Sequence, residues 1–203
     1  MTRKIIIPIF PLGGVIFFPK TNLPLNIFED RYLEMVDFAL SSNKMIGMIQ
    51  PLNDNQLYNI GCVGKITNFN ETNDNRYIIN LYGINCFKII KERPLDKKFR
   101  VFEANLYNNE KTQNFLTNKN FNRKKLVEMF IAFLNRNNSD IDIKYIDKIN
   151  SEELVKLMAM LCPFSITEKQ MLLETMNLND LSDKLIALFE FYTNEYNCQK
   201  TIN

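Results

Sequence analysis

Several residue types are missing or scarce in this 203-residue chain, and each absence removes a class of chemistry. There is no histidine. That excludes Ser-His-Asp and Cys-His catalytic arrangements and removes the usual proton shuttle near neutral pH. Four cysteines, at positions 62, 86, 162 and 198, include no CxxC pair, and without histidine they complete no Cys/His zinc set. Cys62, Cys86 and Cys162 sit in apolar runs and read as small buried hydrophobes, with Cys198 an exposed thiol in the tail. The formal charge is only +2, from 25 basic and 23 acidic side chains, too small to single out a nucleic-acid or anionic-membrane partner.

Long hydrophobic runs are lacking too, and no stretch reaches the roughly 18 to 20 apolar residues that span a bilayer. Arg3-Lys4 followed by Ile5 to Phe18 has the charge and apolar character of a secretory signal. Pro8, Pro11 and Gly13-Gly14 would break its helix, and no small-residue cleavage site follows, so a mature cytoplasmic start is expected. With 46% hydrophobic residues the chain can bury a real core, which argues against disorder.

The first half reads as strands with one inserted helix. Lys4 to Phe10, Val15 to Phe18 and Leu23 to Phe28 are short apolar runs bounded by proline or glycine, and each is expected to be extended. From about Asp30 to Leu40, Tyr32, Met35, Val36, Ala39 and Leu40 share one helical face. Further strands are expected at Met45 to Ile49, Gly61 to Phe69, Tyr77 to Tyr82, Cys86 to Lys91 and Arg100 to Leu106. Asn70 to Arg76 would be a hairpin connection, and Gly83 a turn or bulge. The spacing suggests a mostly antiparallel small twisted barrel or sandwich.

Alternation disappears between Asn108 and Asn120, which places a junction there, with a β-rich subdomain at 1–110 and a helical one at 118–198. Leu126, Met129, Phe130, Phe133 and Leu134 form a helical stripe, and Asn150/Glu153 and Ser165/Glu168 have the spacing of capping boxes. Pro163 ends the Leu154 to Leu161 helix. Leu181, Leu185, Leu188, Phe189 and Tyr192 mark a last helix that closes a bundle.

Catalytic motifs are not found. The nearest approach to a phosphate loop, Asn59 to Thr67, has asparagine where the first glycine is required and its hydroxyl displaced to Thr67. Ser41, Ser42, Ser151, Ser165 and Ser182 lie at helix ends or polar turns, where backbone capping accounts for them. Glu29, Asp30 and Glu34 could form an acid/base cluster, but a helix N-terminus favours acidic residues by its dipole alone.

The stretch from Ile7 to Leu33 carries a resemblance, through Phe10-Pro11-Leu12, Phe18-Pro19, Leu23-Pro24-Leu25, Ile27-Phe28-Glu29 and Arg31-Tyr32. It resembles the opening of the Lon protease N-terminal, substrate-binding domain. Ile46-Gly47-Met48, Gly61-Cys62-Val63-Gly64 and Tyr82-Gly83 support the likeness. Leu157 to Ser165 looks like the tail of standalone members without ATPase or protease domains. The resemblance implies an α+β fold: a PUA-like twisted β-barrel or sheet subdomain with one inserted helix, followed by a C-terminal α-helical bundle. Asp30 departs from the proline the family commonly has there, yet either residue can open a helix.

The implied function is non-enzymatic binding of unfolded or extended polypeptides, as an adaptor or chaperone-like component of protein quality control, with a separate protease as a further partner. No cofactor or metal is implied. The candidate peptide-binding or fold-signature residues are Phe17, Phe18, Phe28, Glu29, Arg31 and Tyr32. Glu29, Arg31 and Tyr32 fit either a structural clasp or a binding site. Phe17 and Phe18, as neighbours on a strand, would point to opposite faces, leaving one outside the core unless both are buried. The alternative is RNA binding, which PUA-like barrels also perform. It would rest on Lys88, Lys91, Arg93, Lys97, Lys98 and Arg100, with Phe87 and Phe99 nearby and Arg123-Lys124-Lys125 following. Solvated charges on strand edges are the simpler account of that stretch. An uncharacterised hydrolase is a third possibility.

Overall fold

A computed structural model describes residues 3–107, 121–137 and 146–200, with side chains described through residue 194. The expected junction at Asn108–Asn120 and the Cys198 thiol lie outside the described residues. In chain order the elements are β1 (Lys4–Pro11), β2 (Asn22–Ile27), α1 (Asp30–Leu40), β3 (Met45–Ile49), β4 (Ile60–Glu71), β5 (Tyr77–Arg93) and β6 (Arg100–Leu106). The helices α2 (Arg123–Arg136), α3 (Ser151–Leu161), α4 (Ile166–Leu173) and α5 (Leu178–Lys200) follow, with a 3-10 turn at Ile146–Lys148.

The sheet runs in the order β2-β5-β4-β3-β1-β6, and β5 also pairs with β6. At 17 residues, β5 is long enough to serve both ends of the sheet. Its first part lies between β2 and β4, and its last part, from Phe87 to Arg93, pairs with β6. The ring β5-β4-β3-β1-β6 therefore closes into a five-stranded barrel, with β2 added outside it. Its one parallel neighbour pair is β1 with β3, where Ile9 faces Gly47. Parallel neighbours need a crossover connection, and the segment holding β2 and α1 supplies it.

Ile7, Ile9, Ile49, Val63, Phe87, Phe102 and Ala104 fill the barrel. Phe87 is fully buried, and it fits because residue 61 has no side chain. A Cβ on Gly61 would lie 2.7 Å from Phe87 Cζ and 2.3 Å from the Met48 carbonyl oxygen.

Two expectations for the β region need correction. Tyr77 to Tyr82 and Cys86 to Lys91 are one continuous strand. Gly83 sits at a register shift, where Gly64 faces Gly83 but Val63 faces Asn85, so Ile84 is the extra residue of a bulge. Val15 to Phe18 is not a strand. The chain there turns back, with Lys20 at φ +66°, the Thr21 hydroxyl donating to the Phe18 carbonyl at 2.8 Å, and the Lys20 amide donating to Gly83 O at 2.8 Å. Strand alternation does not apply, and Phe17 and Phe18 are both buried. The Phe18 carbonyl lies where a side chain on Gly83 would stand, 2.0 Å from its Cβ position.

By contacts the chain divides into two compact units, Met1–Lys111 with Pro163–Glu174, and Thr112–Cys162 with Thr175–Asn203. Helix α4 thus belongs with the barrel, although it lies between two helices of the other unit in sequence. A buried polar network holds it. Gln50 Nε2 donates to the Ile166 carbonyl and to Gln170 Oε1, both at 3.1 Å, and Gln170 Nε2 donates to the Ile60 carbonyl at 3.1 Å. Lys169 Nζ reaches the Gly14 carbonyl at 2.7 Å, and the Gly14 amide donates to Gln50 Oε1 at 3.2 Å. Glu168 and Ser165 cap the start of α4 with a complete capping box.

In the helical unit, Phe189 of α5 packs against Phe133 and Phe130 of α2, with ring centroids 5.2 and 5.6 Å away. Arg123 opens α2 and ties down the segment before α3, donating to the Ile146 and Ile149 carbonyls at 2.6 and 2.8 Å.

Gly83→Ala should destabilise the chain by about 3 kcal/mol in urea unfolding, because the clash is with backbone that cannot rotate away. Gly13→Ala, whose Cβ would make ordinary contacts at 3.5 Å, should change stability by less than about 0.5 kcal/mol. Equal effects at the two positions would show that the Phe18-Pro19 segment is not seated on Gly83.

Candidate functional site

Strand β2 ends on Ile27, which is buried and faces Tyr77 of β5. The alternation of the strand then turns the next residue outward. Phe28 is 63% exposed, the most exposed of the large hydrophobic residues among those described. Glu29 is the N-cap residue of α1, with extended backbone (φ −82°, ψ 131°), but its side chain caps nothing. Its carboxylate instead accepts from Arg31, whose Nε and Nη2 reach Oε2 at 2.9 and 2.7 Å.

The Arg31 guanidinium carbon lies 4.7 Å from the centre of the Tyr32 ring, and that ring lies 4.3 Å from Phe10 of β1. An exposed carboxylate, a cation, a buried phenol and a core phenylalanine thus form one continuous stack across the β2–α1 junction. The structure brings Glu29, Arg31 and Tyr32 together and leaves Phe28 beside them on the surface. It sends Phe17 and Phe18 into the core. Both partners of the ion pair are about half exposed, so it adds at most about 1 kcal/mol of stability.

Arg76, not singled out in the sequence, also reaches this surface. Its guanidinium lies 6.0 Å from the Phe28 ring centre and pairs with Asp74 at 2.8 Å. The turn that presents it is built by Thr72, whose hydroxyl accepts from the Arg76 amide and donates to the Arg76 carbonyl, with Asn75 at φ +60°. At the same hairpin end, the half-exposed Phe69 meets Tyr77 edge-on at 4.9 Å. No local signal marks Arg76, which stands 48 positions after Phe28 and in sequence is simply part of a polar turn.

This arrangement offers exposed aromatic area with charges of both signs beside it. It contains no nucleophile hydrogen-bonded to a base. Among the described residues, no group of three or more Cys, Asp or Glu side chains is placed to hold a metal ion.

The basic stretch of β5 and β6 is arranged differently from what stacking on RNA would need. Arg100 makes a two-pronged contact with Glu92 at 2.8 and 2.7 Å, Arg93 and Lys91 pair with Glu103, and Lys97 pairs with Glu34 at 3.0 Å. The Arg100 hydrogen bonds hold the Glu92 carboxyl below its usual range, and Lys97 does the same to Glu34. Phe87 and Phe99 are both buried, so neither presents a ring face to a base. A cavity of about 400 Å³ lies where β5 turns into β6, lined by Pro94, Leu95 and these paired charges.

Burial pushes the Tyr32 phenol above its ordinary value, and the Arg31 charge pulls it the other way. Below about pH 10 both folded and unfolded chains keep this proton; above it the unfolded chain loses its proton first, so stability falls as pH rises. Tyr32→Phe should therefore lose less stability than the parent between about pH 9 and pH 11, measured by urea unfolding. An equal decline would mean that the phenol is solvated in the folded state.

A family model described as the ATP-dependent protease La (LON) substrate-binding domain matches residues 6–190. Lon protease of Buchnera aphidicola subsp. Baizongia pistaciae is 24% identical over 197 residues, and that of Dictyoglomus thermophilum 25% identical over 203, covering 91% and 94% of this chain. The chain spans about a quarter of the length of these relatives, 24% in each case. Among solved structures, a Lon N-terminal domain protein from Xanthomonas campestris superposes with a TM-score of 0.64 at 21% identity, covering 90% of this chain and 98% of that one. The N-terminal domain of a Mycobacterium avium complex Lon protease gives 0.65 at 15% identity, covering 91% and 98%. At such identities the structural likeness is one of fold, and it agrees with the α+β architecture found here. The family match over nearly the whole chain settles the rest: the chain belongs to the Lon substrate-binding domain family.

Proposed function

We propose that this chain is a non-enzymatic module that binds unfolded or extended polypeptides in the cytoplasm, as an adaptor or chaperone-like component working beside a protease. Family membership supports the class of activity. The observation that carries the location is Phe28, at 63% the most exposed large hydrophobic residue among those described, flanked by the Glu29–Arg31 pair and by Arg76. Aromatic area beside charges of both signs suits apolar segments of varied sequence.

Contact should come through side chains and not by strand addition. The Gly83 amide donates to Thr21 O, and no register shift interrupts the β2–β5 ladder, so Leu23, Leu25 and Ile27 direct their backbone groups at β5. Asn22, Pro24 and Asn26 then face the free edge, and Pro24 has no N–H to give an incoming strand. The RNA-binding alternative finds less support, because Lys91, Arg93, Lys97 and Arg100 are paired with carboxylates and Phe87 and Phe99 are buried.

Fluorescence anisotropy with one labelled client, presented both folded and permanently unfolded, tests the proposal. The unfolded form should bind more tightly, with little loss of affinity as salt rises. Phe28→Ser should weaken binding about tenfold, equivalent to about 1.4 kcal/mol, without lowering stability. Equal binding of the two client forms would overturn the function, and an unchanged Phe28→Ser affinity would overturn the location.

A further inference from the structure

Cys62 and Cys86 are direct cross-strand partners in the β4–β5 ladder. Hydrogen bonds on either side establish which kind of pair they form. The Ile89 amide donates to the Asn59 carbonyl of the chain leading into β4 at 2.9 Å, whereas the Cys86 carbonyl accepts from the Tyr107 amide, on the opposite side, at 3.0 Å. Backbone groups alternate along a strand, and no register shift interrupts Ile60 to Val63 against Asn85 to Lys88. Cys62 and Cys86 therefore occupy a non-hydrogen-bonded site. At such sites opposed Cα atoms lie about 4.5 Å apart and side chains approach most closely, within the Cα range of about 4.4 to 6.8 Å that a disulfide spans.

Directly opposed residues share a face of the sheet. Val63 and Phe87, their neighbours, point into the barrel, so both thiols lie on its outer side, in a row with Met48 of β3. They are nonetheless covered: Cys62 is 0% and Cys86 6% exposed. All three described cysteines are thiols. Of the pair, Cys86 is the more exposed residue, which favours it as the point of entry for a small oxidant.

We propose that Cys62 and Cys86 form an oxidisable pair that closes into a cross-strand disulfide when the chain meets a peroxide. In the first step the Cys86 sulfur attacks one peroxide oxygen. An S–O bond forms, the O–O bond breaks, and the leaving hydroxide takes the thiol proton as water, so that Cys86 becomes a sulfenic acid. Next, the Cys62 sulfur attacks the Cys86 sulfur. The S–S bond forms, the S–O bond breaks, and a second water leaves with the Cys62 proton. The two thiols lose two hydrogens together, and one peroxide is reduced to two waters.

Cys86 is the residue attacked and Cys62 the one that resolves it, an order set by exposure. The first step is slow, because Cys86 is only 6% exposed and the oxidant reaches it rarely. The crosslink closes a loop containing the whole hairpin that carries Phe69, Arg76 and Tyr77, and it fixes the β4–β5 register beside the bulge at Ile84.

The test treats the folded chain with hydrogen peroxide and digests it without reduction. A peptide pair joining Cys62 to Cys86 is expected, lighter than the two thiol peptides by two hydrogens. It should form with the circular dichroism spectrum unchanged and disappear on adding dithiothreitol. Cys62→Ser should leave Cys86 as a sulfenic acid that dimedone traps, and Cys86→Ser should leave Cys62 unmodified. The double variant Cys162→Ser, Cys198→Ser keeps the proposed pair intact, and should give the same linked peptides if either single variant fails to fold. Oxidation of Cys86 to sulfenic or sulfinic acid in the parent without a link to Cys62 would overturn the proposal. So would links running chiefly to Cys162 or Cys198, or thiols left intact while exposed methionines oxidise.

Discussion

Everything in the first unit depends on one strand being long enough to pair at both ends. β5 lies against β2 and β4 near its start and against β6 near its end, and this double use turns an open sheet into a closed barrel. Closure removes the edge that β6 would otherwise expose and leaves that of β2. It also fixes a narrow interior, which is why Phe87 occupies space that a side chain on Gly61 would need. A strand of 17 residues cannot wrap a small barrel without bending, and the bulge at Ile84 together with the register shift between Ile89 and Lys91 provides the bend.

The N-terminal stretch that carries the family resemblance gains its meaning from that closure. Phe18-Pro19 lies directly on Gly83 beside the bulge, so the loop after β1 and the bent part of β5 are shaped for each other. Tyr32 reaches back to Phe10, joining the first turn of the inserted helix to the first strand. Most of the family signature is therefore packing. Phe28 is the exception, since no core contact explains a phenylalanine so exposed.

Local regularities were legible in the sequence, and contacts between distant segments were not. The helix from Asp30 to Leu40, the strand from Met45 to Ile49 and the Ser165/Glu168 cap follow from periodicity and short-range capping chemistry, which a few neighbouring residues determine. Val15 to Phe18 has strand composition, but the chain turns back after it, with Thr21 donating to the Phe18 carbonyl and the Lys20 amide donating to Gly83 O, more than 60 positions away. The attachment of α4 to the barrel depends on Gln50 meeting Gln170 across 120 positions, and a glutamine in sequence carries no sign of its partner. Of the six candidate site residues, Glu29, Arg31 and Tyr32 converge because two of their three links run between near neighbours on one helix turn. Arg76 escaped notice because only folding brings it to Phe28.

The same distinction explains why most of a run of cations that stands out in sequence is paired in the fold. In sequence, Arg93 and Arg100 stand among lysines with only Glu92 and Asp96 between them and the next cations. In the hairpin, antiparallel pairing sets Lys91 against Glu103 and lets Arg100 fold back onto Glu92, so the charges neutralise one another before any ligand arrives. A phosphate backbone would have to displace carboxylates already engaged in short, charge-assisted contacts. At the β2–α1 junction the Glu29–Arg31 pair is likewise internally satisfied, but the aromatic ring beside it is not covered. Exposed apolar surface, unlike a satisfied ion pair, gains free energy from whatever buries it. For that reason Phe28, and not the charges around it, is the feature of this surface that favours a partner.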